Sequence, residues 1–180
     1  MGDELTQLNH KERVDDLFSS IAARYDLVND IQSAGLHRLW KRNLSRRIGL
    51  VESERALDIC CGTGDLSFRL AKRGGTVLGL DLNMSMLTVA RRRLAKRVVR
   101  GEQLCQADAL SLPCANATFD AVTIGYGLRN LADIHGGLSE IYRVLKPGGR
   151  LAILDFGKPP SRAVRAAYYQ YLRWALPVFG

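Results

Sequence analysis

Residues 57–66, Leu57-Asp58-Ile59-Cys60-Cys61-Gly62-Thr63-Gly64-Asp65-Leu66, constrain the fold more than any other stretch. The apolar run at 56–61 predicts a short buried strand, which Gly62 and Gly64 end at once. Asp65 stands where an N-cap would, ahead of a helical pattern opened by Leu66, Phe68 and Leu70. A strand, a tight glycine turn and a helix form the front of a nucleotide-binding α/β unit. In such a unit a ligand lies against bare backbone, and the helix start offers free N–H donors.

The third glycine of a dinucleotide fingerprint is absent, because Ser67 occupies its position. That weakens a diphosphate reading. Thr76-Val77-Leu78-Gly79-Leu80-Asp81 predicts a second buried strand ending in an acid. It lies about 20 residues past the turn, where a carboxylate can hold ribose hydroxyls. An adenosine without diphosphate, held by a short glycine turn and a strand-end acid, points to S-adenosylmethionine.

Upstream, Val14, Leu17, Phe18 and Ile21 recur at helical spacing, and a second helix is expected from about 37 to 48 with Gly49 as its C-cap. A helical segment over 1–50 can fold across the carboxyl ends of the strands and bring Tyr25, Asn29, His37 and Trp40 there. Downstream, a basic helix is expected over 87–99, a third strand over 103–107 ending at Asp108-Ala109, and a fourth over 119–124 ending in Gly125-Tyr126-Gly127-Leu128-Arg129-Asn130. A helix over 131–145, with Leu138, Ile141, Tyr142 and Leu145 inward, is expected to stop at Lys146-Pro147-Gly148-Gly149 before a fifth strand over 150–156. This alternation implies a parallel sheet with helices on both faces. The last stretch carries no acid after Asp155; its aromatics and arginines compose either an interfacial or an ordinary packing helix, with Val164, Tyr168, Tyr171, Leu172, Ala175 and Leu176 on one face.

The 180 residues suit one domain, divided as a cap over 1–50 and an α/β unit over 51–180. No apolar run is long enough to span a bilayer, and the polar start does not read as a secretory signal. Cys60, Cys61, Cys105 and Cys114 show neither metal-ligand nor disulfide spacing and read as buried hydrophobes of a reducing compartment. The net charge of +8 favours an anionic partner, its excess lying around 37–47 and 91–100; both blocks also suit solvated helix faces.

Together these residues resemble the ubiquinone/menaquinone-biosynthesis C-methyltransferase family of class I S-adenosylmethionine-dependent methyltransferases, over nearly the whole chain. The generic part is 57–66, Asp81-Leu82-Asn83-Met84-Ser85-Met86-Leu87, Phe119-Asp120 and Leu145-Lys146-Pro147-Gly148-Gly149. The specific part is Ala23-Arg24-Tyr25-Asp26, His37-Arg38-Leu39-Trp40-Lys41 and Tyr126-Gly127-Leu128-Arg129-Asn130. The resemblance implies a Rossmann-like fold and cofactor contacts at Asp58, Gly62, Thr63, Gly64, Asp81, Asp108, Ala109 and Gly125. It places substrate against Tyr25, Asn29 and Trp40. Two antiparallel strands usual in the family do not follow Gly180, so the chain is expected to be a fragment with an incomplete sheet.

The implied chemistry is methyl transfer to a ring carbon of a prenylated quinol, the carbon becoming nucleophilic as a nearby hydroxyl loses its proton. Arg129 is the candidate for stabilising the oxyanion. Asn130, Tyr126 and His37 are the candidates for orienting or deprotonating the hydroxyl. No metal is expected. A lipid substrate implies a cytoplasmic protein with peripheral contact to an anionic membrane, and a homodimer or quinone-biosynthesis complex is the expected assembly. A nucleic-acid methyltransferase would also suit the charge, but Ile124-Gly125-Tyr126-Gly127 stands where the Pro-Pro run of base-nitrogen methylating enzymes would fall, so no nucleic acid is expected. Another small-molecule methyltransferase, or a quinone-pathway binding protein without turnover, are the remaining alternatives.

Overall fold

The computed structural model describes residues 2–96, 102–157 and 161–179, with side chains described over 12–96, 102–157 and 161–174. Five parallel strands form one sheet in the order β3-β2-β1-β4-β5: β1 (Arg55–Ile59), β2 (Thr76–Asp81), β3 (Glu102–Gln106), β4 (Phe119–Gly125) and β5 (Leu145–Leu154). β1 is central, pairing Leu57 with Leu78 of β2 on one side and with Val122 of β4 on the other. A strand with neighbours on both edges and helices on both faces meets no water, which is why its sequence is an apolar run. The chain steps outward from β1 to β3 and then returns to β4, so strand order reverses between β1 and β4. Ligand crevices of open α/β sheets form at the carboxyl ends of such strands.

Two cores follow from the period-2 alternation along β1. Leu57 and Ile59 pack with Phe119, Val122, Ile124, Ile141 and Val144 under α6 (Ile134–Val144). Ala56 packs on the other face with Leu44 and Ile48 of α3 (Leu36–Ile48) and with Leu66 and Leu70 of α4 (Asp65–Ala71). This is the Rossmann-like α/β class expected from the sequence. Gly49 closes α3 in the left-handed conformation (φ 59°), as its position predicts.

The N-terminal part is a run of three helices, α1 (Gly2–Ile21), α2 (Tyr25–Ser33) and α3, with a 3-10 turn at Ala22–Arg24. The sequence pattern does not announce α2 as a separate helix. It is held from outside: the hydroxyls of Tyr168 and Tyr171, on α7 (Arg162–Phe179), donate to the Gln32 and Ile31 carbonyls at 2.9 and 2.7 Å. Those carbonyls belong to the last turn of α2, where regular intrahelical donors run out and, among the described residues, Ile31 otherwise accepts only a 3.3 Å bond from the Ala34 N–H of the C-cap.

Four expectations need correction. Gly64, with φ 80°, is the N-cap of α4, and Asp65 sits inside its first turn. The basic helix α5 spans Met84–Leu94, shorter than its sequence pattern; residues 97–101, with Arg97 and Arg100, lie outside the described residues. Tyr142 is 84% exposed, because the buried stripe of α6 runs through Gly137, Ile141 and Val144, with Leu138 packed beside it, and position 142 falls off that stripe. The fifth strand begins at Leu145: Phe119 pairs with Leu145 and Ala121 with Arg150, so residues 146–149 bulge opposite Asp120. Lys146 closes that bulge by donating to Asp120 at 2.7 Å. On α7, Val164, Tyr169 and Trp174 are exposed, while the side chains of Ala175 and Leu176 lie outside the described residues.

Candidate active site

The reversal point is conformationally marked. Cys60, just after β1, and Tyr126, just after β4, both adopt left-handed backbone, with φ of 53° and 63°. Non-glycine residues hold that region only where their surroundings demand it, and such positions gather at functional sites. A Cβ on Gly127 would stand 2.4 Å from the Cys60 Cβ, so the two turns touch and only glycine fits.

Above this junction opens a cleft of about 830 Å³, its mouth included. Its walls are mostly apolar: Leu80, Leu82, Met86, Ala109, Leu110 and Leu131 from the sheet side, Val14 and Phe18 from α1. Three carboxylates line it, Asp15, Asp81 and Asp108, and among the described residues no lysine or arginine does. The Asp81 carboxylate ties the turn to β2: Gly62 N–H donates to Oδ2 at 2.7 Å and Asn83 N–H to Oδ1 at 2.9 Å. Burial nonetheless pushes the Asp81 carboxyl above its usual range, only partly offset by these amides.

This lining fits an adenosyl sulfonium and does not fit a diphosphate. A ribose diol finds an acceptor at Asp81, an exocyclic amine finds one at Asp108, and apolar walls flank the space for a base. A positive sulfonium suits a cleft of three acids, whereas a diphosphate would need cations, and none of the described lining residues supplies one.

Of the residues singled out from sequence, Tyr25, Gly62, Asp81, Asp108, Ala109, Gly125, Tyr126 and Asn130 line the cleft. The others stand elsewhere. Asp58 faces α4, where it accepts from Ser67 Oγ at 2.6 Å and Thr123 Oγ1 at 2.7 Å; full burial lifts its pKa to about 6. It braces the glycine turn from beneath. Thr63 is buried, its hydroxyl donating to Asp26 at 3.0 Å, and Gly64 caps α4. Asn29 is buried beside Tyr25, whose phenol burial raises and Asn29 partly lowers. Trp40 packs edge-on to Phe156 at 6.1 Å.

His37 is the clearest displacement. It is buried at the α2–α3 joint, with Nδ1 3.0 Å from Ser33 Oγ. That hydroxyl gives its one proton to the Asn29 carbonyl at 2.6 Å, so Nδ1 carries the histidine proton. Burial and then Lys41 depress its pKa. Arg129 is half exposed at the rim, paired with Asp155 and lying 5.4 Å over the Phe156 ring. It is not part of the lining, yet its charge lowers the pKa of both Tyr25 and Tyr126 against the burial that raises them.

Sequence reasoning did not single out Asp15, Asn83 and Phe18. Asn83 carried a local signal, since its Oδ1 caps α5 by accepting from Met86 N–H at 2.8 Å. Its second role is tertiary: Nδ2 donates to the Asp15 carbonyl and carboxylate, both at 2.9 Å, and reaches Ser19 Oγ at 2.7 Å, fastening α1 over the cleft.

The basic blocks form largely exposed helix faces, Arg38, Arg42, Arg46, Arg47, Arg91 and Arg92 among them, and one cation of each turns inward. Lys41 is 3.3 Å from Asp65, and Arg93 is 2.6 Å from Asp26. Among the described residues no helix is long and apolar enough to cross a membrane.

The profile of the ubiE/COQ5 methyltransferase family matches residues 6–180. The chain belongs to this family. It is 45% identical over 173 residues to a protein of Cellvibrio japonicus named ubiquinone/menaquinone biosynthesis C-methyltransferase UbiE, covering 94% of this chain and 70% of that one. The protein of that name from a Marinomonas strain is 45% identical over 168 residues, covering 91% and 67%. Among solved structures, a putative S-adenosyl-L-methionine-dependent methyltransferase of Methanococcus maripaludis shares the fold with TM-score 0.70 at 24% identity, over 88% of this chain and 72% of that one. A putative methyltransferase of Bacillus halodurans gives 0.63 at 27% identity, over 74% and 57%. The chain is an S-adenosylmethionine-dependent methyltransferase of the quinone-biosynthesis type.

Proposed function

We propose that this methyltransferase acts on a ring carbon of a prenylated quinol: demethylmenaquinol, the ubiquinol precursor 2-polyprenyl-6-methoxy-1,4-benzoquinol, or both. One observation carries the reading beyond family membership. Tyr126 is 3% exposed and lines the cleft, and among the described residues its hydroxyl has no hydrogen-bond partner. A buried, unsatisfied hydroxyl beside Asn130 in an apolar wall suits a ligand with a flat ring and a polar oxygen.

S-adenosylmethionine, when bound, supplies an electrophilic methyl group; Gly62, Asp81, Asp108, Ala109 and Gly125 would hold it. The protein's own part is to bind and orient the quinol. Tyr126 and Asn130 meet the hydroxyl whose proton must leave, and Tyr25 and Phe18 wall the ring. Arg129 stands over Phe156, which stacks on Tyr126, and its charge favours the ionised form of the Tyr25 and Tyr126 phenols against their burial, so it stabilises the quinolate as it forms. Apolar walls keep water from the ring carbon. His37 works by packing, because it is buried at the α2–α3 joint and does not line the cleft.

The lipid tail would be drawn from a membrane at which a cytoplasmic enzyme makes peripheral contact. The exposed Val164, Tyr169 and Trp174 of α7, flanked by Arg162, Arg165 and Arg173, form the candidate surface, testable by cosedimentation with anionic vesicles. A homodimer or a quinone-biosynthesis complex is the proposed assembly.

The deciding experiment is transfer of label from S-adenosylmethionine to each quinol in detergent. Transfer to at least one, lost in Asp81→Ala and Arg129→Ala, supports the proposal. Cofactor binding with no transfer to either rejects it for this chain.

A further inference from the structure

Lys41 is 6% exposed, and buried ammonium groups are rare because desolvation is costly. Its Nζ lies 3.3 Å from Asp65 Oδ2 in the first turn of α4. Burial alone would raise the Asp65 carboxyl, but Lys41 and Arg69 outweigh it and hold the group low, so the pair is ionic. The same Nζ lies 5.7 Å from the centroid of the Tyr126 ring. That ring is stacked on Phe156 at 4.6 Å and 22°, on a backbone in the left-handed region.

The pair is poorly explained as a fastener of α3 to α4. Leu44, Ile48, Leu66 and Leu70 already bury the contact between those helices, and a buried ion pair adds little to such packing. Tyr126 is what lacks support. It follows the last residue of β4, sits in a conformation costly to a side chain, and buries beside the cleft a hydroxyl that finds no partner among the described residues.

We propose that Lys41 is a positioning residue: tethered by Asp65, its ammonium fixes the Tyr126 ring so that the free hydroxyl stands in the cleft wall to receive the quinol oxygen. The use of that hydroxyl rests on the proposed function; the fixing of the ring does not. An ammonium against an aromatic face is attractive, and burial strengthens the attraction.

Two readouts test this in the intact chain. With 3-fluorotyrosine incorporated, Tyr126→Phe identifies the Tyr126 fluorine resonance. In Lys41→Met that resonance moves toward free fluorotyrosine and broadens while the other tyrosine resonances stay in place; Lys41→Arg restores it. Asp65→Asn, which loosens the tether, moves it in the same direction. In the transfer assay Lys41→Met lowers kcat about tenfold with cofactor affinity unchanged. The same change in the Tyr126→Phe background costs less than about twofold, because Lys41 acts through that ring. A Tyr126 resonance unmoved in Lys41→Met overturns the proposal. So does collective movement of all tyrosine resonances in both Lys41→Met and Lys41→Arg, the mark of a mere fastener, and so does a full kcat loss in the Tyr126→Phe background. Absence of transfer in the unmodified chain rejects the quinol reading, and the fluorine resonances then still decide whether Lys41 fixes the ring.

Discussion

The Gly62 amide donates to the Asp81 carboxylate at 2.7 Å, joining the turn after β1 to the end of β2. The acid expected to hold a ribose thus also sets the shape of the turn beside it. Asp81→Ala is expected to weaken S-adenosylhomocysteine binding on the order of 10- to 100-fold, through the lost acceptor and the unpaired Gly62 amide. Titration calorimetry checks this; unchanged affinity would remove Asp81 from the cofactor site.

Arg129 stands at the rim with Asp155, outside the cleft lining. If its role is electrostatic, Arg129→Ala lowers kcat on the order of 10²-fold and leaves the cofactor dissociation constant in place. Parallel losses in both would instead assign Arg129 to the structure of the rim.

Asn83 performs two separable tasks. Asn83→Ala loses the α5 cap, costing about 1 kcal/mol, and also frees α1. Asn83→Asp keeps a capping oxygen but sets a carboxylate against Asp15. Limited proteolysis within α1 is therefore expected to accelerate in both variants, while urea unfolding shows the cap loss only in Asn83→Ala.

Asp58 provides a pH test. Its folded pKa of about 6 lies above the ordinary carboxyl value of 3.8. The folded state therefore binds the proton more tightly, and the associated stability is present below about pH 4 and lost as pH rises through 6. The difference in unfolding free energy between the unaltered chain and Asp58→Asn is expected to shrink by about 2 kcal/mol from pH 4 to 7. A flat difference across that window would show that Asp58 keeps its ordinary pKa.

Gly64→Ala probes the turn itself. Its φ is 80°, and a Cβ there would stand 2.9 Å from Cζ of Phe68, a fully buried ring with nowhere to go. A loss of about 2 kcal/mol or more is expected in chemical denaturation, combining backbone strain with overpacking.

Much of the fold was legible along the chain because its determinants are local. The limits of β2, Thr76–Asp81, follow from an apolar run that ends in an acid, and the end of α3 follows from a glycine free to turn left-handed. The turn at 62–64 was legible for the same reason: two missing side chains dictate close backbone approach whatever surrounds them. Lys146-Pro147-Gly148-Gly149 misled because the same residues that stop a helix also build a bulge, and only pairing with β4 chooses between them.

What stayed hidden depends on which surfaces meet. Asp58 reads as a cofactor ligand until β1 alternation turns it toward Ser67 and Thr123, and His37 reads as a base until α2 closes over it. Asp15 and Asn83 are 68 residues apart, and no periodicity relates them before α1 folds across the strand ends. Lys41 belongs to a basic run that suggests solvent, yet packing buries it between Asp65 and Tyr126. Sequence by itself determined β1 to β4, the glycine turn, the acid that ends β2 and the acid just after β3, because backbone geometry and hydrophobic period act over a few residues. Tertiary structure alone decided which polar groups reach the cleft, because that choice is made by helices packing onto a sheet already formed.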